Sequence, residues 1–552
     1  MSGRSKRNLC ATTLISTLAF MCLLPVAMPT ASAQASHKLL GGPAGVVKSS
    51  KGDLLEGIMV QLISGKNAIR TTVFTSADGR YEFPKLEAGA YMLRIARPLE
   101  FHPYVRENLE IDGATQLDDI LLSRITTEEL LPPLPEIAAQ LSGSEWLQSL
   151  SGTGEEKKLL TTHCNFCHSY QQIFRNRYDE HGWSKIVFRM THGAGSPLIN
   201  IREQGRLTPA EEAKLVKWLA TVRGPDSKDP PFVTLPRPQG RQTRVIITEY
   251  QLPRLEIATH DVTGDSKGYI YYSTHRSSYI GRLDPRTGVV KEFHIPLEGA
   301  GVLPGTHWIN VDSKGYIWGT ENWAHNVYRF DPNTEEFRRI PWKVTEPVNS
   351  PAIGNITFDP DGFLWRARER KLTKVDALTG VPVTSFILKK FPGTYGSAMS
   401  QDGRYFGGGA WPRDGPLVVD TKTAEIFEPD TSPNTAPARG EFDPFGNYWA
   451  GGRGGYLIEF NTTEKRIHEY RVPTPYVSLY TAKADKNGEV WAGELQGGRY
   501  LRFNPKTVQW TEYVLPEPYG HDRESWIDNS TDPVTVWYVD HEGYIVRIQP
   551  LE

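Results

Sequence analysis

The stretch Gly315-Tyr316-Ile317-Trp318 decides the fold of the second half of the chain, because it recurs there. Close copies are Gly268-Tyr269-Ile270-Tyr271 and Gly362-Phe363-Leu364-Trp365, and weaker copies begin at Gly403, Gly446 and Gly488, with a degenerate seventh at Thr535-Val536-Trp537. Successive clear copies lie roughly 41 to 47 residues apart, which is about the length of one four-stranded propeller blade. The repeat therefore predicts a seven-bladed β-propeller over residues 244–552.

The two ends of this region carry a closing device. Thr248-Glu249-Tyr250-Gln251-Leu252-Pro253 precedes the first copy, and Thr511-Glu512-Tyr513-Val514-Leu515-Pro516 follows the sixth. A strand from the start of the region can complete the last blade, so that the ring leaves no long open edge.

The unit Gly-x-Ile-Trp-x-Thr-Glu, followed by a strand with Arg and an Asp-Pro turn, is clearest from Gly315 to Pro332. It resembles the virginiamycin B lyase (streptogramin lyase) family, whose lyases use Mg²⁺ with His and Glu side chains in the propeller mouth to open an ester by elimination. The resemblance implies Mg²⁺ as a candidate cofactor. It also implies four candidate catalytic residues: His260, His307, Glu321 and Glu494.

Inner-strand ends converge on the axis of a propeller, so several polar residues of the repeats are expected to share one rim there. This rim offers a site for a metal, a small acid or an organic substrate, or its side chains satisfy neighbouring backbone groups. The expected members are His260, His275, His307, Glu321, Arg368, Arg453 and Glu494.

A second decisive stretch is Cys164-Asn165-Phe166-Cys167-His168, the CxxCH pattern of c-type haem attachment. Each thiol can add to one vinyl group of the porphyrin, and His168 then becomes the proximal iron ligand. A redox CxxC pair does not need the His, and a zinc site needs further ligands at metal spacing. The motif predicts one covalently bound haem c.

The distal haem ligand is expected to be Met190, the only methionine between residues 151 and 224. His181 and His192 are the alternatives, and a methionine at this place can also be core filler. The helix from Trp183 to Met190 resembles the small cytochrome c domains of quinohaemoproteins, in which the methionine ligates iron. Residues 151–224 are therefore predicted to form a small all-α cytochrome c domain, which ends in a helix capped by Thr208.

Residues 40–123 alternate short strands with turns, notably at Ala77-Asp78-Gly79-Arg80-Tyr81-Glu82-Phe83. This pattern resembles the carboxypeptidase regulatory-like family and implies a transthyretin-like β-sandwich that serves as a spacer or docking module. Proline-rich stretches predict linkers at residues 124–150 and 225–243.

Residues 1–33 read as a signal peptide, with basic residues, an apolar run and Ala31-Ser32-Ala33 as the cleavage site. They predict export to the periplasm, where haem c is attached. No later segment is apolar enough to cross a membrane, and the formal net charge of −2 gives no indication of a nucleic-acid partner.

The chain is thus predicted to be a multidomain, mainly β, periplasmic c-type cytochrome that carries single electrons. It would be part of an oxidoreductase or partner to one, with a dehydrogenase or an electron acceptor as redox partner. The propeller would bind that partner or a small-molecule substrate at its mouth. The alternatives are an Mg²⁺-dependent carbon–oxygen lyase with an ancillary haem, and a ligand-binding haem sensor.

Overall fold

The computed structural model describes residues 40–125, 139–164, 169–192, 207–231, 233–254, 258–297, 304–321, 324, 326–340, 356–540 and 543–552. The predicted signal peptide, residues 126–138 of the first predicted linker and residues 165–168 of the haem motif lie outside these ranges. Within them the chain is mainly β and multidomain, as the sequence predicts.

The first domain packs two sheets around a core that includes Val60, Phe83 and Ile120. One sheet has the strand order β4-β1-β7, and the strands β3-β2-β5-β6 face it. The β-sandwich predicted for this region is confirmed. Its strands are β1 Gly41–Ser49, β2 Met59–Ser64, β3 Arg70–Phe74, β4 Arg80–Pro84, β5 Gly89–Ile95, β6 Val105–Ile111 and β7 Ile120–Leu122.

Five helices follow in the described residues and form what we call the helical domain: α1 Gly143–Ser149, α2 Gly154–His163, α3 Tyr170–Phe174, α4 Glu180–His192 and α5 Pro209–Val222. Capping boxes start α1, α2 and α5, where a Ser or Thr and a Glu three residues later bond each other's backbone N–H. The predicted cap at Thr208 is one of these. The core between the helices includes Trp146, Trp183 and Trp218.

The linker predicted at 124–150 is wrong at its end, because Gly143–Ser149 is helical. The capping box of Ser142 and Glu145 starts this helix, and Trp146 and Leu147 bury their side chains in the helical core. The second linker is extended but fixed to the helical domain: Leu235 N–H donates to Glu145 Oε1 at 3.1 Å and Val233 N–H to Ser149 Oγ at 2.9 Å. A short 3₁₀ turn at Gly240–Thr243 ends it.

After strand β8 (Val245–Gln251), the chain forms six four-stranded antiparallel sheets and the strands of a seventh. The first three sheets are β9–β12 (Thr259–Gly264, Ile270–Thr274, Tyr279–Asp284, Val289–His294), β13–β16 (Thr306–Val311, Ile317–Glu321, Asn326–Asp331, Glu336–Ile340) and β17–β20 (Thr357–Phe358, Leu364–Arg368, Lys371–Val375, Pro382–Ile387). The next three are β21–β24 (Ala398–Met399, Tyr405–Gly409, Pro416–Asp420, Glu425–Phe427), β25–β28 (Pro437–Phe442, Tyr448–Gly452, Tyr456–Asn461, Arg466–Arg471) and β29–β32 (Leu479–Ala484, Val490–Glu494, Arg499–Asn504, Gln509–Val514).

The seventh sheet contains β33 (Asp522–Asp528), β34 (Thr535–Asp540), β35 (Tyr544–Pro550) and β8. β8 pairs antiparallel with β35 from Val245 to Gln251, so the start of the repeat region closes the last blade. Inner strands of neighbouring sheets contact one another, including β33 with β9 and β9 with β13. The seven sheets are thus the blades of a propeller.

The seventh blade continues into the sandwich. β8 pairs on its other side with β3, with Arg70 opposite Glu249 and Thr72 opposite Ile247. One sheet of eight strands therefore runs from the propeller into the first domain, in the order β33-β34-β35-β8-β3-β2-β5-β6. The sandwich is joined to the propeller by backbone hydrogen bonds.

The turn that recurs from blade to blade is held by the same side-chain hydrogen bonds in several of them. In the second blade, Asp312 Oδ1 accepts from the N–H groups of Lys314 and Tyr316, and Oδ2 accepts from Trp318 Nε1 at 2.7 Å. Gly315 has a φ of +83°, which only glycine adopts without strain. The same Asp–Trp bond recurs at Asp359–Trp365, Asp443–Trp449 and Asp485–Trp491.

Candidate functional site

The upper face of the propeller is defined here by the connections between the second and third strands of a blade and those between successive blades. Antiparallel pairing places both kinds of connection at the same end. The inner strands start at this face, so the side chains of His260, His307 and Arg439 lie near it on the axis. All three are at most 3% exposed.

Arg439 is the centre of this group. Its Nη1 donates to Asp261 Oδ1 and to Glu524 Oε2, both at 2.7 Å, and its Nη2 lies 3.3 Å from His307 Nδ1. Lys483 Nζ lies 3.3 Å from the other oxygen of Glu524. The axis thus carries a buried network of two cations and two carboxyl groups, whose hydrogen bonds offset the cost of removing these charges from water.

Three imidazoles lie together beside Arg439. The ring centroids of His260 and His307 are 3.9 Å apart, and that of His275 lies 5.1 Å from His260. Burial lowers the pKa of His275 to about 3, with Arg523 and Arg276 contributing, and burial also lowers the pKa of His260 well below its usual value. His260 and His275 are therefore neutral near pH 7.

A line of hydrogen bonds leads from His307 across the mouth. His307 Nε2 lies 3.1 Å from Tyr395 Oη, which in turn bonds Tyr480 Oη. Because Nδ1 of His307 faces the donor Arg439, Nε2 carries the proton and donates to Tyr395. Trp411 packs edge-on against Tyr395, with ring centroids 5.1 Å apart, and the guanidinium of Arg453 lies 5.7 Å from the Trp411 ring.

Below this layer lies a cavity of about 110 Å³ in the central channel. Residues of all seven blades line it, among them Asp261, Glu441, Lys483 and Glu524. At about 30 Å³ per molecule in the liquid, a polar space of this size has room for a few waters.

The structure brings together only part of the predicted rim. His260, His275 and His307 are in ring contact, and Arg453 lies close enough to Tyr480 and Tyr395 for their electrostatics to affect its pKa. The remaining predicted members of the rim are Glu321, Glu494 and Arg368.

Those three have their observed interactions elsewhere. Glu321 accepts from Arg339 Nε at 2.8 Å and from Asn326 Nδ2 at 2.9 Å. Burial raises the pKa of Glu494 to about 8, and the charges that affect it most are Arg499 and Glu512. Burial lowers the pKa of Arg368, at the end of its strand, and Glu369 opposes this. A shared rim that includes Glu321, Glu494 and Arg368 stays a prediction.

The axis does not fit Mg²⁺. Among the described residues, no group of three or more His, Cys, Asp or Glu is arranged to hold a metal ion. Mg²⁺ requires oxygen ligands, whereas His260 and His307 offer nitrogen and face the Arg439 guanidinium at 3.5 and 3.3 Å. Asp261 and Glu524 already bind this guanidinium, which supplies the positive charge that a metal would bring.

The helical domain rests on the upper face of the propeller. Gly143 N–H donates to the backbone oxygen of Gln496 at 2.6 Å, and Tyr170 N–H donates to its side-chain oxygen at 3.1 Å. Lys157 Nζ lies 5.2 Å from the Tyr476 ring. Tyr170 is 2% exposed, and its electrostatics affect the pKa of Arg453.

The residues predicted to bind haem lie on α2 and α4 or between α2 and α3. Cys164 is partly buried against the helical core at the end of α2, while Cys167 and His168 lie outside the described residues. Met190 falls on the face of α4 that buries Trp183 and Val187, yet it is 47% exposed. The attachment of a haem to these residues stays a prediction.

The alternative ligands differ in their surroundings. His192 Nδ1 lies 2.8 Å from Thr191 Oγ1 and 3.7 Å from Glu212, so one ring nitrogen is engaged. His181 lines an open groove of about 540 Å³ between α4 and α5, together with Phe188 and Glu212. The choice among Met190, His192 and His181 stays a prediction.

Sequence reasoning missed Asp261, Arg439, Glu524 and the tyrosines of the mouth. Asp261 carries a signal, since it follows directly on His260 and both belong to the same inner strand. Arg439 and Glu524 occupy inner strands whose repeats carry different residues at these places, so no periodic pattern marks them.

Residues 44–123 match the carboxypeptidase regulatory-like domain, which agrees with the sequence interpretation of the first domain. No curated protein matches the chain in sequence. No helix among the described residues is long and apolar enough to span a membrane.

The propeller is similar in structure to solved lyases. A catalytically inactive virginiamycin B lyase from Staphylococcus aureus, solved with quinupristin, is 17% identical, with 55% of this chain and 99% of that chain covered and a TM-score of 0.47. A streptogramin B lyase is 20% identical, covers 56% of this chain and 100% of its own, and has a TM-score of 0.48. The extracellular domain of a hybrid two-component system from B. thetaiotaomicron is 14% identical, with 55% and 40% covered and a TM-score of 0.44.

Proposed function

We propose that the protein is a periplasmic c-type cytochrome in which a single haem, held by the helical domain, carries electrons to or from the mouth of the propeller. The observation that carries this proposal is the contact of Tyr170 with the upper face of the propeller. This residue follows the haem motif by two positions, and its backbone bonds Gln496 on the upper face. The predicted haem motif therefore adjoins, along the chain, the contact between the helical domain and the upper face.

Aromatic side chains lead from the axis towards the contact of Tyr170 with the upper face. His307 contacts Tyr395, Tyr395 packs on Trp411, and Trp411 lies beside Arg453. The pKa of Arg453 responds to Tyr170. We propose that a molecule bound at the mouth exchanges electrons with the haem across this part of the upper face.

The residues that would hold the haem are Cys164 and Cys167 through thioether bonds, His168 as proximal ligand and Met190 as distal ligand. The haem supplies a one-electron couple whose potential depends on these axial ligands. The chain's part would be to attach the porphyrin to the helical domain and to hold this domain on the upper face through Gly143, Tyr170 and Gln496.

A spectrum of the purified protein tests the proposal. From a host able to mature haem c, we expect a pigment that resists acidified acetone and a reduced-minus-oxidised spectrum typical of haem c. Met190→Ala should abolish the weak red absorption band of a sulfur–iron bond. Phe188→Ala, on the same helix and 58% exposed, is the control and should keep it.

Two results would contradict parts of this proposal. A colourless mature protein would refute the cytochrome. A haem whose red band is absent, or survives Met190→Ala, would exclude that ligand, and His181→Ala and His192→Ala would then identify the sixth ligand by their own spectral change.

The redox partner would be a periplasmic dehydrogenase or an electron acceptor, since one haem carries one electron at a time. We expect the signal peptide to export the protein. Mixing the oxidised protein with periplasmic dehydrogenases and their substrates, and following haem reduction, tests this part.

The lyase alternative keeps one supporting observation, the neutral His260 beside the buried Arg439. Elimination by the Mg²⁺-dependent route would require metal ligands that the described axis does not offer. Ester opening without an electron acceptor that stops on dialysis against a chelator would favour the lyase. A haem that is reduced only by a partner protein, and by no small substrate alone, would favour the sensor.

A further inference from the structure

The cavity of the central channel opens at the lower face of the propeller, the end opposite the upper face. Its upper end is closed by Asp261 and Arg439, which are at most 1% exposed. Its other end is lined by the partly exposed Asn310 and Trp526, and by Glu441, whose side chain is 42% exposed. A small molecule in solution can therefore enter the cavity from below without passing the layer of imidazoles.

The charged side chains around this cavity carry an excess of negative charge. Three are carboxyl groups, Asp261, Glu441 and Glu524, and two are cations, Arg439 and Lys483. Lys483 Nζ lies 3.6 Å from Glu441 Oε2 and 3.3 Å from Glu524 Oε1. Although burial lowers the pKa of Lys483, these two carboxylates raise it above its usual value. The lining therefore attracts a further positive charge.

One carboxylate oxygen at the closed end lacks a donor. Asp261 Oδ1 lies 2.6 Å from His260 Nδ1 and accepts from Arg439 Nη1 at 2.7 Å. Its other oxygen, Oδ2, is buried without a hydrogen-bond partner among the residues that the structure describes. A buried polar atom of this kind calls for an explanation, and a bound ion or ligand is one. Asp261 lines the cavity, so the cavity is the space from which a donor would reach it.

Two tryptophans, Trp308 and Trp526, supply aromatic surface to the cavity wall. Trp526 lies against β9 at Gly264, where a Cβ would fall 2.3 Å from its ring, so the absence of a side chain there makes room for the indole. The faces of indole rings attract cations. Aromatic walls beside a carboxylate thus favour an ammonium ion with an alkyl group over a strongly hydrated inorganic ion.

Neither a divalent metal nor an anion fits this cavity. In the described part of the chain, no three His, Cys, Asp or Glu residues are arranged to hold a metal ion. Arg439 and Lys483, which an anion would need, already contact Asp261 and Glu524. At about 30 Å³ per water molecule, the volume of about 110 Å³ admits a ligand of roughly three or four non-hydrogen atoms.

We propose that the lower part of the central channel binds a small primary alkylammonium ion, such as methylammonium or ethylammonium. Its N–H groups donate to Asp261 Oδ2 and to Glu441, and its alkyl group lies against Trp308 and Trp526. This site does not depend on the haem, because it lies at the end of the propeller opposite the helical domain. It gives the propeller a ligand separate from any molecule bound at the mouth.

Calorimetric titration of the intact protein with ethylammonium chloride tests the site. A ligand with three non-hydrogen atoms is expected to bind with a dissociation constant of about 1 mM. Ethanol, which has the same number of non-hydrogen atoms but no charge, should not bind. Asp261→Asn should weaken the binding of ethylammonium about tenfold, since it removes a charge-assisted hydrogen bond. Trp526→Leu should weaken it about threefold through the loss of the cation–π contact.

The pH dependence of binding gives a second readout. Burial raises the pKa of Asp261 to about 7, although Arg439 opposes this. The cation binds the ionised carboxylate, so ethylammonium should bind about tenfold more tightly at pH 8 than at pH 6, and this difference should vanish in Asp261→Asn. The other charged and titratable groups that face Asp261 are His260, Tyr328, Arg439, Lys483 and Glu524.

The matched control is Glu459→Gln, a buried carboxyl group bonded to Tyr470 in the fifth blade, which should leave the affinity unchanged. The absence of saturable heat with ethylammonium would overturn the proposal, and so would equal binding of ethanol or displacement by an equal concentration of potassium chloride. An unchanged affinity in Asp261→Asn would also overturn it. If Asp261→Asn does not fold, Glu441→Gln carries the test at a partly exposed side chain and should weaken binding several-fold.

Discussion

Replacing Arg97 by methionine should loosen the helical domain from the sandwich. Arg97 Nη2 donates to Glu145 Oε2 at 2.7 Å, and their side chains are 2% and 3% exposed. Arg97 also donates to the backbone oxygen of Gln140 at 2.7 Å. Glu145 also accepts hydrogen bonds from the N–H of Ser142, at the start of α1, and from the N–H of Leu235, in the second linker.

The magnitude follows from what the substitution leaves behind. Methionine fills much of the space of arginine but carries no charge, so Glu145 stays buried without its cation. Breaking one side of a buried ion pair costs about 3–5 kcal/mol. At 1.4 kcal/mol per factor of ten, local opening around α1 should rise by at least about a hundredfold.

Amide hydrogen exchange measures this opening directly. We expect the N–H groups of Ser142 and Leu235 to lose protection in Arg97→Met, and the double variant Arg97→Met with Glu145→Gln to regain part of it. Lys66→Met is the matched control in the same domain, since its ion pair with Glu87 is 77% and 63% exposed and should contribute at most about 1 kcal/mol. Equal exchange in Arg97→Met and this control would refute the reasoning.

Three further predictions concern the seam (strand β8, which pairs with β35 and β3), the blades, and the contact of Tyr170 with Gln496. Burial raises the pKa of Glu249 from 4.5 to about 7, so the contribution of protonated Glu249 to the free energy of unfolding is complete below pH 4.5 and is lost as the pH rises through 7. This loss should amount to about 3 kcal/mol over that range. Denaturant titrations at several pH values should show that Glu249→Gln removes the pH dependence. Asp443→Ala leaves the buried Trp449 Nε1 without its acceptor and should cost about 1–3 kcal/mol of unfolding free energy. Gln496→Ala removes the acceptor of Tyr170 N–H and should speed exchange of that amide several-fold, as expected for a bond of about 1 kcal/mol.

Each of these has an outcome that contradicts it. A pH dependence that persists in Glu249→Gln would place the titration elsewhere. A loss in Phe445→Ala, an exposed change in the same turn, as large as that in Asp443→Ala would mean that the Trp bond is not the cause. An unchanged Tyr170 amide in Gln496→Ala would mean that the helical domain does not rest on the upper face in solution.

The blades could be predicted from the sequence because their signal is local. An Asp, a Gly with positive φ and a Trp at fixed spacing make one turn and one side-chain bond, as at Asp312, Gly315 and Trp318, and repetition makes that signal visible. The closing strand β8 could be predicted for the same reason. A repeat that must end where it began needs a matching edge.

The axis and the seam could not be predicted in the same way. Arg439 meets Asp261 from a blade 178 residues away, and a pairing of such separation leaves no trace in a single sequence. The family's glutamate position suggested Glu321 as a candidate catalytic residue, and its bond to Arg339 in the same blade could not be read from the sequence. The haem ligands come from a local motif, and their roles stay a prediction.

The sheet that runs through β8 into β3 bears on how the chain can be shortened. Removing residues 40–123 would strip the partner from Thr248 and Glu249 and leave an unpaired strand along the outside of the ring. A bare edge of this kind recruits strands from other molecules, so the isolated propeller should self-associate, and its seam would open more easily. The N-terminal domain thus covers the free edge of β8, the strand that closes the ring, and the propeller should be prepared with this domain attached.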